Sequence, residues 1–252
     1  MNERERRIFL IEYLLRESGR IQRIPDDAGG QRRLLRSLMN VRKPKEIGND
    51  FLTVQDEYLR GRIAENGITD SARLQYKEGI SLWQGDITTL KADAIVNAAN
   101  SQLLGCFAPC HACIDNCIHT FAGVQLRLEC AEMMQGKEEP TGKARITIAY
   151  NLPCKFVLHT VGPIVNGRLS EAHKKLLASC YESCLSLAEQ NGAKSIAFPC
   201  ISTGVFRFPN DEAAKIAVTA VREYKQRTGS GIKVIFNVFK DVDFQLYQKL
   251  LN

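Results

Sequence analysis

The chain has 252 residues, 44% of them hydrophobic, and a formal net charge of +6 at pH 7. That composition suits an ordinary globular protein and excludes the disordered and fibrous classes. No apolar run approaches the roughly 18 to 20 residues of a membrane span. The opening segment MNERERRIFLIEYLLRESGR is too charged throughout for a secretory signal. A cytoplasmic protein with no membrane association is therefore expected. Its nine cysteines, an odd number, read as free thiols or metal ligands and not as a disulfide framework. The basic residues are scattered and not striped with aromatics, so a phosphorylated ligand is expected and nucleic acid is not.

Residues 1–75 read as a small helical extension. Ile8, Leu10, Ile11, Tyr13, Leu14 and Leu15 lie along one face of a first helix. QRRLLRSLMNVRKP predicts a second that ends by Pro44, and DFLTVQDEYLRGRIAEN a third capped by Gly67. The role expected of this extension is packing or association, not catalysis. Residues 76–252 change texture. ISLWQGDIT, AIVNAAN, ARITIAY, FVLHTVGP, SIAFPCIS and KVIFNVF read as strands, several of them continuously apolar as in strands covered on both faces. EAHKKLLASCYESCLSLAEQNG and PNDEAAKIAVTAVREYKQRTG have the length and period of crossover helices. Ser170 and Glu171 open the first, Asn191-Gly192 close it, and Pro209-Asn210-Asp211 open the second. The expected architecture is α/β with a mixed sheet. Ligands of such sheets sit at the carboxyl ends of strands, which directs attention to the loops after AIVNAAN and SIAFPC.

Both loops carry chemistry. After the first, Asn100–Gly123 holds four cysteines and two histidines around one acidic residue, Asp115. After the second, Ser202, Thr203 and Gly204 lie between an apolar strand and a helix, where exposed N–H groups cradle an anion. Taken in order, QGDITTLKADAIVNAANSQLLG, IDNCIHTFAG, LHTVGP and AFPCISTGVFRFP resemble the macrodomain family, over about Ile80 to Asn252. This resemblance implies a three-layer α/β/α fold that binds ADP-ribose. GCFAPCHAC, in place of a plain glycine run, looks like the zinc-dependent branch that removes ADP-ribose from proteins, and the helical extension is similar to that branch too.

The resemblance implies that Asp86 accepts from the adenine amine with Ile87 contributing backbone, the competing role of Asp86 being a turn or helix cap. It gives the phosphates to Ser202, Thr203, Gly204 and Val205, and the cover of the distal ribose to Phe206, with core packing as the alternative for that ring. Asn100 is expected to hold the distal ribose hydroxyls. Asn97 is expected to fix the loop backbone through its side chain.

Zinc prefers thiolate and imidazole, and a catalytic site keeps three protein ligands. Cys106, His111 and Cys113 form a Cys-x4-His-x-Cys set, neither a paired Cys-x-x-Cys nor a finger pattern, and the family resemblance implies that they are the metal ligands. His111 and Cys113, two apart in an extended loop, point to one side. Cys110, next to His111, would point away. Cys117 reads as a packing cysteine and His119 as structural; a fourth ligand from Cys110 or Cys117 would make the metal structural instead. Asp115, at the start of the helix DNCIHTFAGVQLRLEC, matches the acidic residue that hydrolytic macrodomains place near the distal ribose, and it also suits the helix dipole. The expected activity is zinc-dependent hydrolysis of mono-ADP-ribose from protein side chains, Asp or Glu esters being preferred. The competing readings are a non-catalytic ADP-ribose reader and an O-acetyl-ADP-ribose deacetylase with structural zinc. The resemblance further implies a lipoyl carrier of the glycine-cleavage H type as substrate, and a sirtuin-like ADP-ribosyltransferase as companion.

Overall fold

Three helices come first in the computed structural model, which describes residues 1–252: α1 (Glu3–Ser18), α2 (Ala28–Val41) and α3 (Asn49–Asn66). Their ends are chemically specified. Asn2 and Glu5 form a reciprocal capping box at α1, and Asp27 caps Gly30 N–H at α2. Gly67 closes α3 by donating to the Ala64 carbonyl, at the glycine the pattern pointed to. Leu10, Ile11, Leu14, Leu35, Leu38, Phe51 and Leu59 bury together as the core of this helical layer, and Val124 joins them from the body of the protein.

The remaining helices are α4 (Ile114–Ala122), α5 (Val124–Met134), α6 (Glu171–Gln190), α7 (Asn210–Thr228) and α8 (Asp241–Leu251). Two short strands, β1 (Thr69–Asp70) and β3 (Leu90–Lys91), pair in parallel. The main sheet comprises β2 (Ile80–Gln84), β4 (Ala94–Ala99), β5 (Ala144–Ile148), β6 (Phe156–Val161), β7 (Ser195–Phe198) and β8 (Lys233–Val238), in the order β2-β8-β7-β4-β6-β5. All neighbours are parallel except β5 with β6, so the sheet is mixed, and each of its six strands falls within a run predicted above.

Alternation along the strands builds the layers. Val96, Leu158, Ile196, Phe198, Val234 and Phe236 face one core with α6, α7 and α8. Ile95, Val157, Ala197 and Ile235, one residue out of step, face a second core with α4 and α5. Burying a Leu, Ile or Phe side chain contributes roughly 1.5–3 kcal/mol, so each face of the sheet is held by a large apolar term. No helix is long and apolar enough to cross a membrane.

One expectation needs correcting. DNCIHTFAGVQLRLEC is not one helix: Gly123, at φ 101°, separates α4 from α5. A Cβ there would lie 2.6 Å from both Gln125 Oε1 and Gln55 Nε2, so the break is also a close-packing point between α3 and α5. The two helices can then run in different directions, with α4 set against the end of β4.

Candidate active site and metal group

Asn97 is a fully buried polar residue in an apolar strand, on the face that carries Ile95. Its register partner across β4 and β6 is His159. Asn97 Nδ2 donates to Asp115 Oδ1 at 2.8 Å and contacts His159 Nδ1 at 3.2 Å, while His159 Nε2 lies 2.9 Å from Thr147 Oγ1. A chain of polar groups therefore runs through the core from Asp115 to β5. Asn97 does not fix the loop backbone as expected; it holds the carboxylate. The loop is fixed by Asn100, whose Nδ2 donates to the Gly105 carbonyl at 3.1 Å and to Asp115 Oδ2 at 3.2 Å, and whose Oδ1 accepts from Gln102 N–H.

Asp115 thus has both oxygens held by asparagines while its side chain is almost wholly buried. Burial pushes its pKa up to about 6, against the opposing pull of the two asparagines and of Arg127. His119 Nε2 lies 3.6 Å from Asp115 Oδ1, but this is not an ion pair. Both His119 ring nitrogens lack hydrogen-bond partners, and burial, with His159 and Arg127 nearby, holds its pKa well below the ordinary value, so the ring is neutral. Gly105, at φ 78°, packs flat on that ring: a Cβ would sit 2.7 Å from His119 Cγ. The buried Arg127 guanidinium donates to the carbonyls of Leu104 and Asn40 and stacks over Phe107, tying the loop to α2. Arg127 and the Asp115–Asn97–His159 chain escaped the sequence reading. Polar residues inside apolar runs, in AIVNAAN and FVLHTVGP, were the available signal.

The ligand atoms of Cys106, His111 and Cys113 all lie within 4.8 Å of one another, and Cys106 Sγ is 3.6 Å from His111 Nδ1. Zinc–sulfur and zinc–nitrogen bonds at a tetrahedral angle place sulfur and nitrogen about 3.6 Å apart, so the donors fit a zinc ion in spacing and in chemistry. Cys113 is also the N-cap of α4, its Sγ accepting from Asn116 N–H at 3.4 Å. Burial pushes its thiol up to about 12. Cys110, in a left-handed conformation at φ 55°, points away and donates to the Arg33 carbonyl. Cys117 takes a hydrogen bond from Arg36. Neither belongs to the three-residue group.

The remaining predicted residues occupy two loops. Asp86 Oδ1 accepts from Thr88 N–H at 2.9 Å and Thr88 Oγ1 at 2.7 Å, capping a 3₁₀ turn over Ile87–Thr89, so the cap role weighed for it is real. Ile87 is buried in that turn, which packs against α4. In the loop after β7, Ser202 is buried at φ 66° with its hydroxyl unpartnered, and Thr203 N–H turns back to the Cys200 carbonyl. The N–H groups of Gly204, Val205 and Phe206 donate to no main-chain carbonyl. Val205 is exposed and Phe206 half-buried, its carbonyl accepting from Val165 N–H in the loop after β6. Gly162 in that loop leaves the space Ser202 uses, since a Cβ would lie 2.1 Å from Ser202 Oγ.

A mixed sheet between two helical layers, with open amides in a strand-end loop and a buried carboxylate in the first turn of α4, defines a three-layer α/β ligand-binding protein. Residues 96–217 match the model of the Macro domain family. The chain is 59% identical to a protein-ADP-ribose hydrolase of Treponema medium over the whole of both chains. It is 53% identical to a protein of the same name from Staphylococcus aureus, covering 87% of this chain and 84% of that one. Among solved structures, the Trypanosoma brucei macrodomain in complex with ADP-ribose superposes with a TM-score of 0.66 at 30% identity, over 86% of this chain and 95% of that one. The chain belongs to the macrodomain family.

Proposed function

We propose that the protein is a zinc-dependent hydrolase that removes mono-ADP-ribose from modified protein side chains, Asp or Glu esters in particular, and releases free ADP-ribose. Full-length similarity to a protein-ADP-ribose hydrolase supports turnover over recognition alone. The observation that carries the reading is a thiol–imidazole–thiol group two residues from a carboxylate that two asparagines hold.

Cys106, His111 and Cys113 would hold the ion, and the hydrogen bonds of Cys110 to the Arg33 carbonyl and of Cys117 with Arg36 support a set of three ligands. When bound, zinc supplies Lewis acidity and brings the pKa of coordinated water to about 7. Asp115 accepts a proton from the attacking water or orients it, its two oxygens already aimed by Asn97 and Asn100. Its raised pKa makes it a better base than a solvated aspartate while leaving it ionised at neutral pH. Asp86 keeps Oδ2 for the adenine amine, and the open amides of Gly204, Val205 and Phe206 cradle the pyrophosphate. Asn100 meets the distal ribose through its Oδ1, since both donors of its amide are engaged. An ester linkage is preferred because it is the easier bond to hydrolyse. The family resemblance supports a lipoyl carrier of the glycine-cleavage H type, modified by a sirtuin-like ADP-ribosyltransferase, as the substrate, and a cytoplasmic setting.

The test uses zinc-loaded protein and substrates that carry labelled ADP-ribose on defined side chains, with bound metal measured in parallel. Label leaving Asp or Glu, and joint loss of metal and turnover in Cys113→Ala, are expected. Full turnover by metal-free protein would refute the zinc dependence, and tight binding without release would refute hydrolysis.

A further inference from the structure

Between α2, α3 and α4 lies a cavity of about 290 Å³, apart from the residues assigned above to ADP-ribose. Four guanidinium groups border it: Arg32, Arg33 and Arg36 from α2, and Arg62 from α3. No acidic residue occurs in α2. The carboxylates that pair with these arginines are Glu3, with Arg32, and Glu65, shared by Arg32 and Arg62; Arg33 and Arg36 pair with none. Arg32 Nε is buried with no hydrogen-bond partner. The floor between these charges is apolar, made by Leu35, Met39, Leu59 and Phe121. Like charges gathered at one rim repel, and guanidinium groups match carboxylates in shape and charge.

The cavity adjoins the metal loop. Cys110 lines it and precedes His111, and Arg36 Nη2 donates to the His111 carbonyl at 2.9 Å. On the hydrolase reading the distal ribose lies at Asp115, two residues after Cys113, which sets an attached protein chain beside this loop. We propose that the cavity docks an acidic segment of the ADP-ribosylated protein, with a carboxylate side chain among the arginines and a neighbouring apolar side chain on the floor. This rests on the hydrolase reading for the identity of the partner. The N-terminal helices thereby become a substrate-selecting element, and the specificity they confer is for charge near the modified residue.

Two peptides with the same ADP-ribosylated residue test this, one flanked by Glu and Leu, the other by Ser and Gly. At low salt the acidic peptide should be turned over with kcat/KM about tenfold higher, a gap that shrinks as salt is added. Arg33→Glu should remove the gap by raising KM for the acidic peptide while leaving kcat and KM for the neutral one unchanged; Arg33→Lys should keep most of it. Equal handling of the two peptides by the wild type, or an equal effect of Arg33→Glu on both, overturns the docking site. Anisotropy of a labelled, unmodified Glu/Leu peptide reads docking without turnover. Saturable binding lost in Arg33→Glu supports the site even if neither modified peptide is cleaved, an outcome that would sink the hydrolase reading alone. No binding of that peptide to the wild type overturns the docking site.

Discussion

Replacing Asn97 by alanine should damage both folding and turnover, because one side chain links the candidate base to the core. Asp115 Oδ1 and His159 Nδ1 would each lose the Asn97 donor in a buried setting. An unmet buried polar group costs about 1–3 kcal/mol. The deletion also removes Asn97 Oδ1, itself buried without a partner, which offsets one such cost. The expected net loss is about 1–3 kcal/mol, or roughly 2–12 °C in Tm for a chain of this size. Asp115, held then only by Asn100, would lose its fixed orientation, and kcat should fall by about 10- to 100-fold while ADP-ribose affinity changes little. Asn97→Asp keeps the volume but sets an acceptor against two acceptors, so it should destabilise more than alanine. Urea unfolding and steady-state turnover read both effects. A variant Asn97→Ala within about 0.5 kcal/mol of wild type, with unchanged kcat, would refute the role assigned to this chain of groups.

Stability should also fall in acid because of the buried histidines. Burial lowers His159 to about 3, so the unfolded chain takes up its proton first; the contribution is complete above about 6.5 and is lost as pH falls toward 3. Between pH 6.5 and 5 the loss is on the order of 2 kcal/mol, and His119 adds one of the same sign. Asp115, raised to about 6, works in the opposite direction, so the comparison belongs in an Asp115→Asn background, where urea midpoints that stay flat from pH 7 to 5 would contradict neutral burial. Gly162→Ala should weaken ADP-ribose binding about tenfold or more by driving Ser202 Oγ out of its place, and adding Ser202→Ala should restore part of the affinity. Calorimetric titration of the wild type and the two variants checks this, and an unaffected Gly162→Ala would show that the two loops are not packed as described.

Much of the architecture could be read before any coordinates. The six strands of the main sheet followed from apolar runs bounded by turn residues, and Ser170, Gly67 and Pro209 marked helix ends because capping is local chemistry. Cys106, His111 and Cys113 were likewise legible as a set, since three donors within eight residues can meet whatever the rest of the chain does, and their ligand atoms do meet. The break at Gly123 was missed because the helical pattern continues across it, and only packing against Gln55 of α3 shows why a residue without a side chain stands there.

What the amino-acid order determined by itself was everything whose cause lies within a few residues: strand periods, caps, and the gathering of Cys106, His111 and Cys113 in one loop. Only the tertiary structure decided that Asn97 grips Asp115, that His159 stands opposite it across two strands, and that arginines from α2 and α3 surround one cavity. Those pairings join residues up to tens of positions apart. Their partners are selected by strand register and helix packing, which minimise the free energy of the whole chain; a polar residue inside an apolar run marks that a partner exists but not which one.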